Sequence, residues 1–297
     1  MEGYKYVQML KKYWQGTRKW VEVGLLLLLL VASGISTFAL TAHQVKAKQF
    51  DATAGNWPTY MANKQHSGFN GTETLINSTT AANLKVHWTA KGGGMIFSQP
   101  VLANGMVYWG SWNGYEHATD LNGGFVWQQN LGQTTRNCDK TIRYGVISTA
   151  TVAPVSIDGT MTSVVFVGGG DDHLYALNAS TGAIIWRTPL GAPSSNTFIW
   201  DSPVVYKGSV YIGTASLGDC PNIPGQLLRI DASTGSIQNT FNVVPGGCIG
   251  GGIWSSPTID QVNNSVYFTT GNAGQCPTPE KNAFAMVKLN ASNLLFM

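Results

Sequence analysis

The sequence predicts an all-β protein, a β-propeller built from four-stranded antiparallel blades and preceded by one N-terminal transmembrane helix. Three observations carry that expectation. A unit of about 45–60 residues recurs along the chain, the mark of a repeat architecture. Only 11% of the 297 residues are charged, while 35 are glycine and 12 proline, a composition that favours short strands and turns over helices laced with ion pairs. One uncharged apolar run of 20 residues follows a basic arm.

Residues 1–22 form the arm, expected in the cytoplasm. Lys5, Lys11, Lys12, Arg18 and Lys19 outnumber Glu2 and Glu22 by three, which is the whole net charge of +3. The remainder is neutral overall, so no basic face exists to displace counterions from phosphates, and nucleic acid is not an expected partner. Residues 23–42 (VGLLLLLLVASGISTFALTA) are expected to cross a membrane, since a helix rising about 1.5 Å per residue spans a hydrocarbon core of about 30 Å. A cleaved signal peptide is the rival, but its apolar region is shorter, about 7–15 residues, and no good small-x-small exit follows. Five basic residues precede the run and only Lys46 and Lys48 closely follow it, so the positive-inside bias places the rest of the chain outside the cell membrane.

After a linker and N-terminal segment over 43–83, the repeat occupies 84–297. Its first half reads SQPVLANGMVYWGS (98–111), TVAPVSIDGTMTSVVFVGGG (151–170), DSPVVYKGSVYIGT (201–214) and SSPTIDQVNNSVYFTTG (255–271). Each is two alternating strands about a tight turn. Its second half reads EHATDLNGGFVWQQNLG (116–132), LYALNASTGAIIWRTPLG (174–191), LLRIDASTGSIQNTFNVV (227–244) and the incomplete AMVKLNASNLLFM (285–297). Four strands per copy give about four blades, near 98–132, 147–191, 201–244 and 254–297, an incomplete ring. The stretch 84–90 (LKVHWTA) looks like a lone fourth strand, and the last copy stops where its outer strand should run. The chain is therefore expected to be a piece of a longer propeller.

The AL(N/D)ASTG(x)₃W unit, clearest over 176–186, resembles the repeat of the pyrroloquinoline-quinone (PQQ) propeller superfamily. Within it, NWPTYMANKQHSGFN (56–70) and GGGIWSSPTIDQVNNSVYFTTGN (250–272) look like segments of the quinoprotein alcohol dehydrogenases, above all the polyvinyl-alcohol-dehydrogenase-like branch. The likeness covers about 55–297. It implies that Trp254 is the floor on which the flat quinone stacks and that Asn272 ligates the calcium ion beside the quinone carbonyl. It also implies an acidic calcium ligand in the loop 215–225, where Asp219 is the one candidate. An aromatic face suits a planar ring system, and amide and carboxylate oxygens suit hard Ca²⁺. The catalytic base is missing: the matching stretch holds Asn282, Ala283 and Phe284, and Glu280 is out of register. There is no CxxCH, so no covalently attached haem is expected.

Cys138 and Cys248 fall in connections between blades, Cys220 and Cys276 in loops between second and third strands. Both kinds of connection emerge on one face of a propeller. Two disulfides are expected in an exported chain, with the pairing open; zinc is the rival use, but no CxxC spacing supports it. Lys140 and Arg143 share that face and are the expected partners of the quinone carboxylates. His43, His66, His87, His117 and His173 share no ligand spacing. The reading is thus a membrane-anchored, extracytoplasmic PQQ-type propeller; the alternatives are a non-catalytic scaffold for proteins or cell-wall polymers, or an inactive fragment.

Overall fold

The computed structural model describes residues 55–191 and 196–297. The expected basic arm and the membrane span at 23–42 lie outside the described residues. Among the described residues no helix is long and apolar enough to cross a membrane.

The alternating runs read in the sequence become antiparallel sheets. The first sheet contains Val101–Ala103, Met106–Gly110, Tyr115–Asp120 and Phe125–Asn130. The second contains Thr151–Ile157, Thr160–Gly168, His173–Asn178 and Ile184–Pro189, paired in the same order. In the third, the inner strand is split: Val204–Tyr206 and Thr197–Phe198 pair with the two ends of Ser209–Ser216, and Gln226–Asp231 and Ile237–Asn242 follow. The fourth has three strands, Thr258–Asp260, Ser265–Thr269 and Met286–Asn290, with Phe296 bridged to Leu289 beside the last.

Local chemistry explains the first hairpin of each unit. Its two turn residues have positive φ in three sheets: Asn104 and Gly105 (55° and 74°), Asp158 and Gly159 (49° and 79°), Lys207 and Gly208 (47° and 72°). That pair of angles is the turn whose twist matches the flanking strands.

Apolar side chains fill the spaces between sheets. Tyr108, Val152, Val165 and Leu177 join the first sheet to the second. Phe166, Leu174, Ile212 and Ile230 join the second to the third, and Tyr211, Leu227, Val266 and Leu289 the third to the fourth. Indole N–H groups lock the stack from outside. Trp127 donates to the carbonyl of Ala179 at 2.9 Å and Trp186 to that of Ala232 at 3.1 Å, each in the turn of the following sheet. Trp88 donates in the same way to Leu121, at 2.9 Å, on the first sheet. The stretch 84–90, expected as a lone fourth strand, pairs with no strand among the described residues, yet its tryptophan takes the outer-strand position.

At the inner end a belt of side chains ties the sheets together. The N–H of Gln99 donates to Thr149 Oγ1 at 2.8 Å, that of Thr149 to Ser202 Oγ at 3.0 Å, and that of Ser202 to Ser256 Oγ at 2.9 Å. These four residues open equivalent inner strands, so the four sheets share one axis, as blades do.

Candidate functional site

Above the belt, at the end where inner strands begin, the connections converge. A short hairpin, Thr134–Thr135 with Arg143–Tyr144, leads from the first blade to the second. It carries Arg136 towards the axis. There Arg136, Trp200, Ala215, Ser216, Gly218 and Trp254 line an open recess of about 370 Å³.

Aromatic packing sets its walls. Trp200 lies 5.0 Å from Phe198 and 6.3 Å from Tyr144, both edge-on, and its indole N–H donates to the Ser216 carbonyl at 2.9 Å. The Arg136 guanidinium sits 5.2 Å over the Tyr144 ring, and its Nε is buried without a hydrogen-bond partner. Gly218, at φ 82°, lets the guanidinium approach: a Cβ there would stand 3.2 Å from Arg136 Nε. Trp254 has 65% of its surface exposed, so an indole face is free. It occupies the irregular stretch before Thr258–Asp260, in the same position relative to its blade as Trp200.

Beneath Trp200 the carboxyl of Asp201 is fully buried. Its Oδ2 accepts the Gly213 N–H at 2.7 Å while Oδ1 has no partner, and burial raises its pKa well above the ordinary carboxylate range. Ser98 and Ser255 take this place in the first and fourth blades and accept the corresponding N–H groups of Gly110 and Thr269. Burial thus favours the neutral form of Asp201, and its bond to Gly213 ties the start of the inner strand to the second strand under the recess.

Two disulfides brace the mouth. Cys138 bonds to Cys220, with Cα atoms 5.8 Å apart, joining the Arg136 hairpin to the third blade. Cys248 bonds to Cys276 across 4.9 Å, joining the entrance of the fourth blade to its own upper loop. Four thiols far apart in sequence thus meet on one face, as the strand reading expects.

The other expected site residues stand differently. Lys140 is exposed and donates to Asn137 Oδ1 at 3.2 Å, and Arg143 is exposed in the hairpin; neither lines the recess. Arg136 does, and the sequence reading missed it. Arg136 directly follows the two-residue strand Thr134–Thr135, and nothing in the local sequence separates it from Lys140 and Arg143 in the same hairpin. Asn272 and Asp219 are both exposed and lie outside the recess lining. The Asn272 carbonyl accepts the Gly251 N–H at 2.7 Å. No group of three or more His, Cys, Asp or Glu suited to a metal occurs among the described residues. Glu280 accepts the Gly274 N–H at 3.2 Å through Oε2, and its Oε1 is buried without a partner.

Comparison with known proteins bears on these features. A family model described as outer membrane protein assembly factor BamB (PQQ_2) matches residues 113–274. Lupanine 17-hydroxylase (cytochrome c) of Pseudomonas sp is 28% identical over 214 residues, 70% of this chain and 29% of that protein. Polyvinylalcohol dehydrogenase of Pseudomonas sp is 23% identical over 223 residues, 67% of this chain and 33% of that protein. The crystal structure of quinohemoprotein alcohol dehydrogenase from Comamonas testosteroni superposes with a TM-score of 0.66 at 21% identity, over 82% of this chain and 40% of that one, and so shares its fold. The chain spans about a third of the length of the curated relatives it matches.

Proposed function

Because this chain belongs to the PQQ_2 propeller family, we propose that it is a quinoprotein alcohol dehydrogenase-like protein that binds PQQ in the recess at Trp254. The single observation that carries the reading is the joining of two indoles, Trp200 and Trp254, with one guanidinium, Arg136, in a recess large enough for a planar tricyclic anion. The exposed Trp254 face would stack on the ring system. The Arg136 guanidinium would meet a carboxylate of the quinone, a charge-assisted hydrogen bond. The disulfide beside it holds Arg136 in place.

When bound, PQQ would supply the two-electron acceptor for oxidation of an alcohol. The chain's own residues would stack, orient and partly shield it. For Ca²⁺, the proposed protein ligands are Asn272 and Asp219. They are oxygen donors of the right hardness, but the ion favours about 6–8 oxygens and these two side chains are exposed. The donor set fits the quinone better than the metal.

A second reading is favoured by one observation. The residues at the expected base position, Asn282, Ala283 and Phe284, cannot accept an alcohol proton, and the Glu280 carboxylate is held by Gly274. A non-catalytic propeller that presents its upper loops to proteins or cell-wall polymers needs no base. In either reading, residues 23–42 would anchor the chain in the cell membrane with the propeller outside.

The test is retention of the quinone. The purified protein is mixed with PQQ and Ca²⁺, dialysed, and its quinone absorbance followed. Retention that is lost in Trp254→Ala supports the proposal, and its loss on calcium chelation would assign the ion a part in it. Complete loss of quinone from the unaltered protein overturns it. Retention without alcohol-dependent dye reduction selects the non-catalytic reading.

A further inference from the structure

Below the belt the inner strands face residues 57–66, and backbone bonds join them row by row. The N–H of Leu102 donates to the Trp57 carbonyl at 2.9 Å, that of Val152 to Pro58 at 2.7 Å, and that of Ile259 to Lys64 at 2.8 Å. Each donor lies three residues beyond a belt residue: Gln99, Thr149 and Ser256. The fourth member of the row is Val205, three beyond Ser202. It pairs with Val210 in the register in which Leu102 pairs with Val107, so its N–H points to the axis as that of Leu102 does. Against Val205 the N-terminal segment stands off, and a cavity of about 240 Å³ opens.

Its lining is mixed. Val205, Ala153 and Pro58 give apolar walls, Gln261 gives an amide, and Lys64 is the one charged side chain. Lys64 is half-buried and makes no ion pair among the described residues. No acidic residue lines the space. A volume of about 240 Å³ holds several groups the size of a water molecule, each about 30 Å³. An ammonium, an amide and an inward backbone N–H beside apolar walls match an anion with two acceptor oxygens and a short hydrocarbon tail.

We propose that this cavity, on the far side of the belt from the recess, binds a small aliphatic monocarboxylate, held by Lys64, Gln261 and the Val205 N–H with its tail against the side chains of Val205 and Ala153. The site stands independently of the quinone reading.

The test is calorimetric titration of the whole protein with sodium butyrate, butan-1-ol and butylammonium. Butyrate is expected to bind at least about tenfold more tightly than either analogue. Lys64→Met should weaken butyrate about tenfold, Lys64→Arg should stay within about threefold, and Trp254→Ala should leave it unchanged. The Lys64 substitutions keep the carbonyl that Ile259 uses, and circular dichroism checks that they fold. Ala153→Leu, which fills the cavity and leaves the charge in place, should also remove binding. Absence of butyrate binding, equal binding of butan-1-ol, or an unchanged affinity in folded Lys64→Met would overturn the proposal.

Discussion

The ring of Trp127 lies against Gly182 of the following blade. A Cβ on Gly182 would stand 2.6 Å from Trp127 Cδ2, and the glycine's φ is 72°. Gly123 under Trp88 and Gly235 under Trp186 repeat the relationship, at φ 80° and 75°. The glycine of each ASTG-type turn therefore serves twice: it takes a left-handed backbone, and it leaves room for the preceding blade's indole. Gly182→Ala should destabilise by about 1–2 kcal/mol from backbone strain alone, more once the indole is displaced. Trp127→Ala should cost about 3–5 kcal/mol. Denaturant unfolding of the two variants measures both. An alanine at Gly182 without effect would show that the indole is not seated there.

Glu116 is fully buried between the first and second blades, with both carboxyl oxygens unpartnered, and burial raises its pKa far above the ordinary value. Four residues before the turn-opening Asn178, Asp231 and Asn290, the other blades place Leu174, Leu227 and Met286, as Glu116 precedes Asp120. Glu116→Leu is expected to stabilise the fold by about 1–3 kcal/mol, the cost of an unsatisfied buried polar group. A lower melting temperature for this variant would count against that account.

Burial, and next the neighbouring Asp171 charge, push the Asp172 carboxyl up to about 7. The folded protein then holds this proton more tightly than the unfolded chain, where the carboxyl titrates near about 3.9. Its contribution to stability is full below about pH 4, falls as pH rises towards 7, and is flat above. Asp172→Asn, which tolerates the residue's φ of 66°, should raise stability at pH 8 and change it little at pH 4. Unfolding curves at the two pH values decide it.

The Cys138–Cys220 bond closes a segment of sequence separation 82, and the chain-entropy account gives it about 4–5 kcal/mol. The double substitution Cys138→Ser, Cys220→Ser should lower stability by an amount of that order, and it should also loosen the hairpin that carries Arg136. Quinone retention is the second readout.

Within that hairpin three cations compete for one role. Arg136→Ala is expected to weaken quinone retention at least about tenfold, while Lys140→Ala and Arg143→Ala change it by less than about threefold. The opposite ranking would return the role to the exposed pair.

Much of the fold was legible because its determinants are local. Alternation along 101–110 or 204–213, and turn residues such as Asp158 and Gly159, act within a few positions of themselves, and their recurrence counts the sheets. The gathering of four cysteines on one face followed from strand order alone. Other features were not local. Glu116 is invisible to a composition argument because one carboxyl among leucine positions looks like any polar strand residue. The Val205 cavity depends on where residues 57–66 run across three distant strands.

Near neighbours along the chain are enough to show that quadruplets of strands repeat, where each turns, and which loops share an end, since they set backbone angles and side-chain alternation. Packing of the assembled sheets sets which cysteines bond, that Arg136 rather than Lys140 or Arg143 lines the recess with Trp254, and that one inner strand in four is left with a cavity. Those outcomes depend on distances of a few ångströms between residues tens to hundreds of positions apart, and such distances exist only once the sheets stand around their axis.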